Sequence, residues 1–191
     1  MGPSPHPILP KLDIQPNGVE KLMKNLNPYK ASGPDDLPAR VLKDYSNILA
    51  SPLCLTYKAS ILQGKIPSDW RKALISPIFK KGDKAAPANY RPISLTSVCC
   101  KLLEHIIHSH IMKHLDRHNI LNDSQHGFRK HISTESQLIS TVNEQASALN
   151  NGEQRDSILL DFSKAFDKVS HRLLLHKLAF FRHTEQHPRL G

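Results

Sequence analysis

The 191-residue sequence predicts an α+β fold, on three observations. Helical periodicities and short apolar strand segments occur together without strict alternation, which argues against a doubly wound sheet. A strand-like segment, the turn former KKGDK and a second apolar stretch read as a hairpin rather than a crossover. Fourteen prolines and a hydrophobic fraction of 39% describe a loop-rich chain that still holds enough apolar side chains for one domain with a core.

Taken in order, the opening residues MGPSPHPILP lack the charged start and long apolar core of a signal peptide, so 1–14 is expected to be a disordered, Pro-rich leader. From Gln15 the pattern turns helical, with Asn17 as a possible cap, Glu20 three residues on, and Val19, Leu22, Met23 and Leu26 on one face. The turn-dense stretch NPYKASGPDDLPAR follows, and then a helical pattern from Pro38 to Gln63. Ala73 to Phe79 reads as a strand, confined to an edge by Pro77, and pairs with a second near Tyr90 to Leu95 across KKGDK. The clearest helix spans Val98 to His118, where Cys99, Leu102, Leu103, Ile106, Ile107, Ile111 and Leu115 recur at spacings of three and four. Thr134 with Gln137 looks like a capping box for a helix closed by Asn150, Asn151 and Gly152. A short strand, Ser157 to Leu160, delivers Asp161, and a last helix covers about Arg172 to Phe181.

Charge and cysteines narrow the partners. Lys and Arg outnumber Asp and Glu by 26 to 17, a net +9, which favours a polyanion because each neutralised phosphate releases a counterion. Basic chains also arise for solubility or membrane affinity, but no apolar run approaches the ~18–20 residues of a membrane span. Cys54, Cys99 and Cys100 have neither a disulfide framework nor zinc spacing, so a reducing compartment, cytosol or nucleus, is expected. His110, His114 and His118 share a helical stripe that could bind zinc or nickel; lacking a Cys or acid to complete the set, they read as surface histidines.

The segment SILLDFSKAFDKVSH carries the chemistry, with Asp161 at the end of an apolar strand and Asp167 six residues later. Nucleotidyl transfer needs carboxylates on rigid backbone to hold two divalent ions ~4 Å apart. On physical grounds alone a strand-end Asp is more often a helix cap or a loop acid than a metal ligand. ILLDFSKAFDKVSH, however, resembles the first catalytic motif of reverse transcriptases of LINE-type (non-LTR) retrotransposons, closest to the jockey-like elements. Four further blocks follow the family's order: NPYKASGPDDLPARVLK, WRKALISPIFKKGDK, NYRPISLTSVCCKLLEHII and LNDSQHGFRKHISTESQL. Together the matches run from about Asn25 to Leu178.

The resemblance implies the fingers and partial palm of a right-hand polymerase, truncated before the catalytic hairpin. On it, 15–156 is a fingers-like helical region with a small hairpin, 157–178 the first palm strand and helix, and 179–191 a divergent tail. Asp161 would be the catalytic metal-binding carboxylate for Mg²⁺. Phe166 would lie beneath the sugar of the incoming dNTP, and Arg91 with Lys80 or Lys81 would hold its triphosphate. Gln125, Gly127, Phe128 and Arg129 would lie near the RNA template and DNA primer, or an RNA–DNA hybrid. Asp167 would orient its turn. The family's aromatic-Ala-Asp-Asp hairpin does not occur; the one Asp-Asp pair, Asp35–Asp36, lies in a proline-flanked turn. The chain is therefore expected to be inactive alone. A non-catalytic RNA or hybrid-binding remnant, and a relic reading frame without function, remain alternatives.

Overall fold

The computed structural model describes residues 6–163 and 165–182. They form two compact units, Pro10–Met112 and, among the described residues, 6–9 with 113–182. The mixture of helices with a strand pair is the α+β content the sequence predicts. No helix among the described residues is long and apolar enough to cross a membrane.

The first unit is built on four helices: α1 (Pro16–Lys24), α2 (Ala39–Asp44), α3 (Ser46–Gln63) and residues 98–112 of α4 (Val98–Arg117). Helix α1 is started by Pro16 at its first position, where the fixed φ suits the helix and the missing N–H is not needed. Gln15 rather than Asn17 is the capping position, and it makes no side-chain cap bond. The pattern from Pro38 to Gln63 is two helices, because Tyr45 leaves helical geometry between them. Helix α3 tolerates Pro52 in its interior and ends at Gly64, whose φ of +64° supplies the left-handed stop.

Ile14, Val19, Met23, Ala39, Leu42, Ala50, Cys54, Tyr57, Val98, Cys99, Leu102 and Leu103 make one core cluster. Tyr57 is fully buried, donates its hydroxyl to the Cys99 carbonyl at 2.7 Å and meets Trp70 edge-on at 5.7 Å. The stretch just before α1, which the sequence assigns to a disordered leader, joins this core. Ile14 is buried and its carbonyl accepts from the Cys54 thiol, while the Pro10 carbonyl contacts His110 Nε2 at 2.7 Å. Hydrophobic burial of one isoleucine thus outweighs a polar, Pro-rich composition.

Strands β1 (Leu74–Phe79) and β2 (Tyr90–Leu95) pair antiparallel, with Pro77 opposite Pro92 and Ile78 opposite Arg91. Both faces of this hairpin are largely exposed. In the second unit, α5 (Thr134–Asn150) is capped by Ser133 with Ser136 as its reciprocal partner, one residue earlier than the Thr134–Gln137 pair expected from sequence. Gly152, at φ +71°, follows its C-terminal end. Helix α6 (His171–Arg182) occupies the expected place.

Ser157 to Leu160 is not a strand, and no strand besides β1 and β2 is found among the described residues. A strand is held by backbone partners on a neighbour, and none lies beside this one.

Candidate functional site

Arg91 and Lys80 are brought together by the hairpin's register. Lys80 N–H donates to the Asn89 carbonyl at 2.8 Å, which extends the ladder one step beyond the Phe79–Tyr90 pair. Alternation then puts Lys80 on the face that carries Ile78 and Arg91, diagonal to the arginine, a spacing of ~7–8 Å between backbones. Lys81 follows at the exposed tip, before Gly82 at φ +91°. All three cations are exposed to solvent, and among the described residues none makes an ion pair with an acid. A planar guanidinium beside an ammonium suits a polyphosphate.

The loop beyond the tip is organised by its own bonds. Asp83 Oδ1 accepts from Ala85 N–H at 2.9 Å, Asn89 Nδ2 donates to the Asp83 carbonyl, and Tyr90 Oη donates to the Lys84 carbonyl at 2.9 Å. Phe79 and Tyr90 meet at 5.5 Å, with Lys84 Nζ 5.8 Å from the Phe79 ring centre.

The loop 121–131 holds the next group. Arg129 is pinned by its own loop, donating to the Asn122 carbonyl at 3.1 Å and lying 4.0 Å from Asp123. Gln125 is exposed and turns back to the Gly127 carbonyl at 3.3 Å. A Cβ on Gly127 would meet nothing within 4 Å, so the surrounding fold does not require a glycine there for space. Phe128 is held at φ +60°, an uncommon conformation for an aromatic residue. It meets Phe166 edge-on at 6.0 Å, although the two rings are 85% and 77% exposed. The sequence assigned these rings to different roles and offered no signal that they touch.

Asp161 is exposed in an extended segment without ladder bonds, and Ile158, Leu159 and Leu160 before it are 83–96% exposed. Asp167 is exposed in the following turn. Among the described residues no group of three or more His, Cys, Asp or Glu is placed to hold a metal ion. One carboxylate does not fit a pair of magnesium ions. His114, expected at the surface, is buried, with its ring 4.8 Å from that of His118. The chain's apolar helix face turns that residue inward.

A contact the sequence reading missed joins two blocks of the first unit. A Cβ on Gly33 would stand 2.5 Å from backbone atoms of Thr96 and Ser97, so GPDD packs directly on the junction between β2 and α4. Asp35 faces Cys99 from there and helps to raise its thiol pKa.

The sequence matches the reverse transcriptase (RNA-dependent DNA polymerase) family over residues 78–188. It is 32% identical over 176 residues to a probable RNA-directed DNA polymerase from transposon BS of Drosophila melanogaster, covering 90% of this chain and 19% of that protein. The RNA-directed DNA polymerase from mobile element jockey of the same organism is 31% identical over 170 residues, covering 88% of this chain and 19% of its own length. A retrovirus-related Pol polyprotein from type-1 retrotransposable element R2 of Popillia japonica is 30% identical over 121 residues, 62% of this chain and 16% of that protein. The chain thus spans about a fifth of the length of the first of these relatives.

Proposed function

Because the chain belongs to the reverse transcriptases of LINE-type, non-LTR retrotransposons, we propose that its residues are the fingers and the opening of the palm of an RNA-directed DNA polymerase. In this reading the hairpin grips the triphosphate of an incoming dNTP, and the loop 121–131 guides template and primer. The observation that carries it is the register that sets Arg91 and Lys80 on one open face, neither in an ion pair among the described residues. Asp161 supplies one carboxylate to a magnesium site, and among the described residues no group of three or more His, Cys, Asp or Glu completes it. The isolated chain therefore binds nucleotide and nucleic acid but does not polymerise.

Two measurements test this. Arg91→Ala should weaken dNTP binding about tenfold, the loss of roughly one charge-assisted bond. Unchanged affinity would remove the assigned role. Primer extension on an RNA template with magnesium or manganese should show no incorporation. Incorporation that disappears in Asp161→Ala would overturn the inactive reading.

A further inference from the structure

Helix α4 carries two histidines at its end that the fold has brought together. His114 lies in the last turn and His118 just past it, on one stripe, with ring centres 4.8 Å apart. His114 is only 5% exposed and His118 is half-buried, so packing holds one imidazole while its neighbour borders solvent. The backbone between them is set as well. His118 N–H donates to the His114 carbonyl at 3.2 Å, and Ile120 N–H to the Leu115 carbonyl at 3.0 Å. Asn119, at φ +49°, then turns the chain out of the helix.

This geometry suits a divalent transition-metal ion. Nitrogen–zinc bonds of ~2.0–2.1 Å put the ion ~3.1 Å from each ring centre, and a tetrahedral angle then separates the centres by ~5 Å. The 4.8 Å found here matches. Histidines at i and i+4 are the spacing by which one helix face offers two nitrogens to zinc. Their place on the helix adds to this, because the aligned peptide dipoles leave partial negative charge at the carboxyl end of its 20 residues. Among the charged side chains along this turn, Asp116 favours a cation and Lys113 and Arg117 oppose it. All three are exposed, and solvent screens them.

The ligand type states which ion fits. Imidazole nitrogens suit zinc, copper and nickel, whereas magnesium prefers oxygen. No third His, Cys, Asp or Glu joins the pair among the described residues, so the remaining coordination positions fall to water. His110, one turn earlier on the stripe, is engaged through Nε2 with the Pro10 carbonyl at 2.7 Å.

We propose that His114 and His118 chelate one zinc-class divalent ion, which clamps the C-terminal turn of α4. The site shares no residue with the hairpin, the loop 121–131 or Asp161, and it stands or falls apart from the polymerase reading.

Calorimetric titration of the full 191-residue chain with Zn²⁺ tests the assignment. The tightest zinc site should weaken about a hundredfold in His118→Ala, because the second imidazole joins intramolecularly. Should His114→Ala fail to fold, the half-buried His118 position decides the matter. His105→Ala, an exposed histidine of the same helix, should leave the site unchanged. Cu²⁺ should bind more tightly than Zn²⁺, and excess Mg²⁺ should not compete. Zinc should also slow amide exchange across residues 114–120 in the unaltered chain and not in His118→Ala. Equal zinc affinity in the unaltered chain and His118→Ala would overturn the chelate. So would an equal loss in His105→Ala, the mark of scattered surface histidines, or competition by Mg²⁺, the mark of carboxylate ligands. Absence of zinc binding by the unaltered chain would overturn it as well, and would leave dNTP binding through Arg91 untouched.

Discussion

Gly33 and the paired thiols of α4 show what single residues contribute. The Gly33 position admits no side chain, since a Cβ would press on backbone atoms of Thr96 and Ser97 that cannot swing aside. Gly33→Ala should destabilise the first unit by ~1–3 kcal/mol, the usual range for overpacking, read as a lowered urea midpoint with unchanged slope. A neutral result would mean that the GPDD loop is free to move off the junction. Cys99 and Cys100 are pushed up from an ordinary 9.0 to about 11. Burial is the main cause for both, with Asp35 adding to it at Cys99 and Glu104 at Cys100. The folded-state values lie above the unfolded ones, so their contribution to stability is whole below pH 9.0 and is lost as pH rises through about 11. Urea titrations across that window should show the decline, and it should be shallower in a Cys99→Ala, Cys100→Ala double variant. At neutral pH both thiols should react with iodoacetamide far more slowly than in the unfolded chain.

The elements show where local signals suffice. The hairpin was legible because strand-length apolar segments flank a turn former, and its register needs only the length of the loop. Pro77 and Pro92 fit that register for a reason: Lys80 points its N–H at the partner strand, so Pro77 and Pro92, an odd number of steps away, would point theirs outward. Neither removes a ladder bond, and both leave the outer edges a donor short, which discourages a third strand. Helix α3 is the opposite case. Its Pro52 removes an interior bond at an exposed position, a penalty of ~3 kcal/mol in an unconstrained helix. Pro52→Ala should therefore raise the thermal midpoint; a lowered midpoint would show that the proline's bend is needed for packing on α1. Helix boundaries were less legible. Ser133 and Thr134 are both competent caps, and only the path of the incoming chain chooses between them.

At the scale of the molecule, the two units differ in how much they bury. The first closes a core from four helices, while α5 leaves Leu138, Ile139, Val142 and Leu149 54–75% exposed. The segment before Asp161 has neither ladder bonds nor a covered apolar face. Hydrogen exchange should show strong protection in α1, α3 and α4 and rapid exchange across residues 153–162. Uniform protection through 153–162 would mean that the segment finds a partner strand.

By itself the sequence determined the α+β class, the helices, the hairpin and the family, because periodicity, turn chemistry and ordered motifs are properties of neighbours along the chain. Tertiary structure alone decided that Ile14 and His114 are buried, that Gly33 locks onto Thr96 and Ser97, and that Phe128 meets Phe166. It also decided that Ser157 to Leu160 remains unpaired. Each of those outcomes depends on which distant residues come within a few ångströms, and a strand in particular takes its backbone bonds from another part of the chain. An apolar run of strand-forming residues states a capacity to pair; a neighbour has to supply the pair.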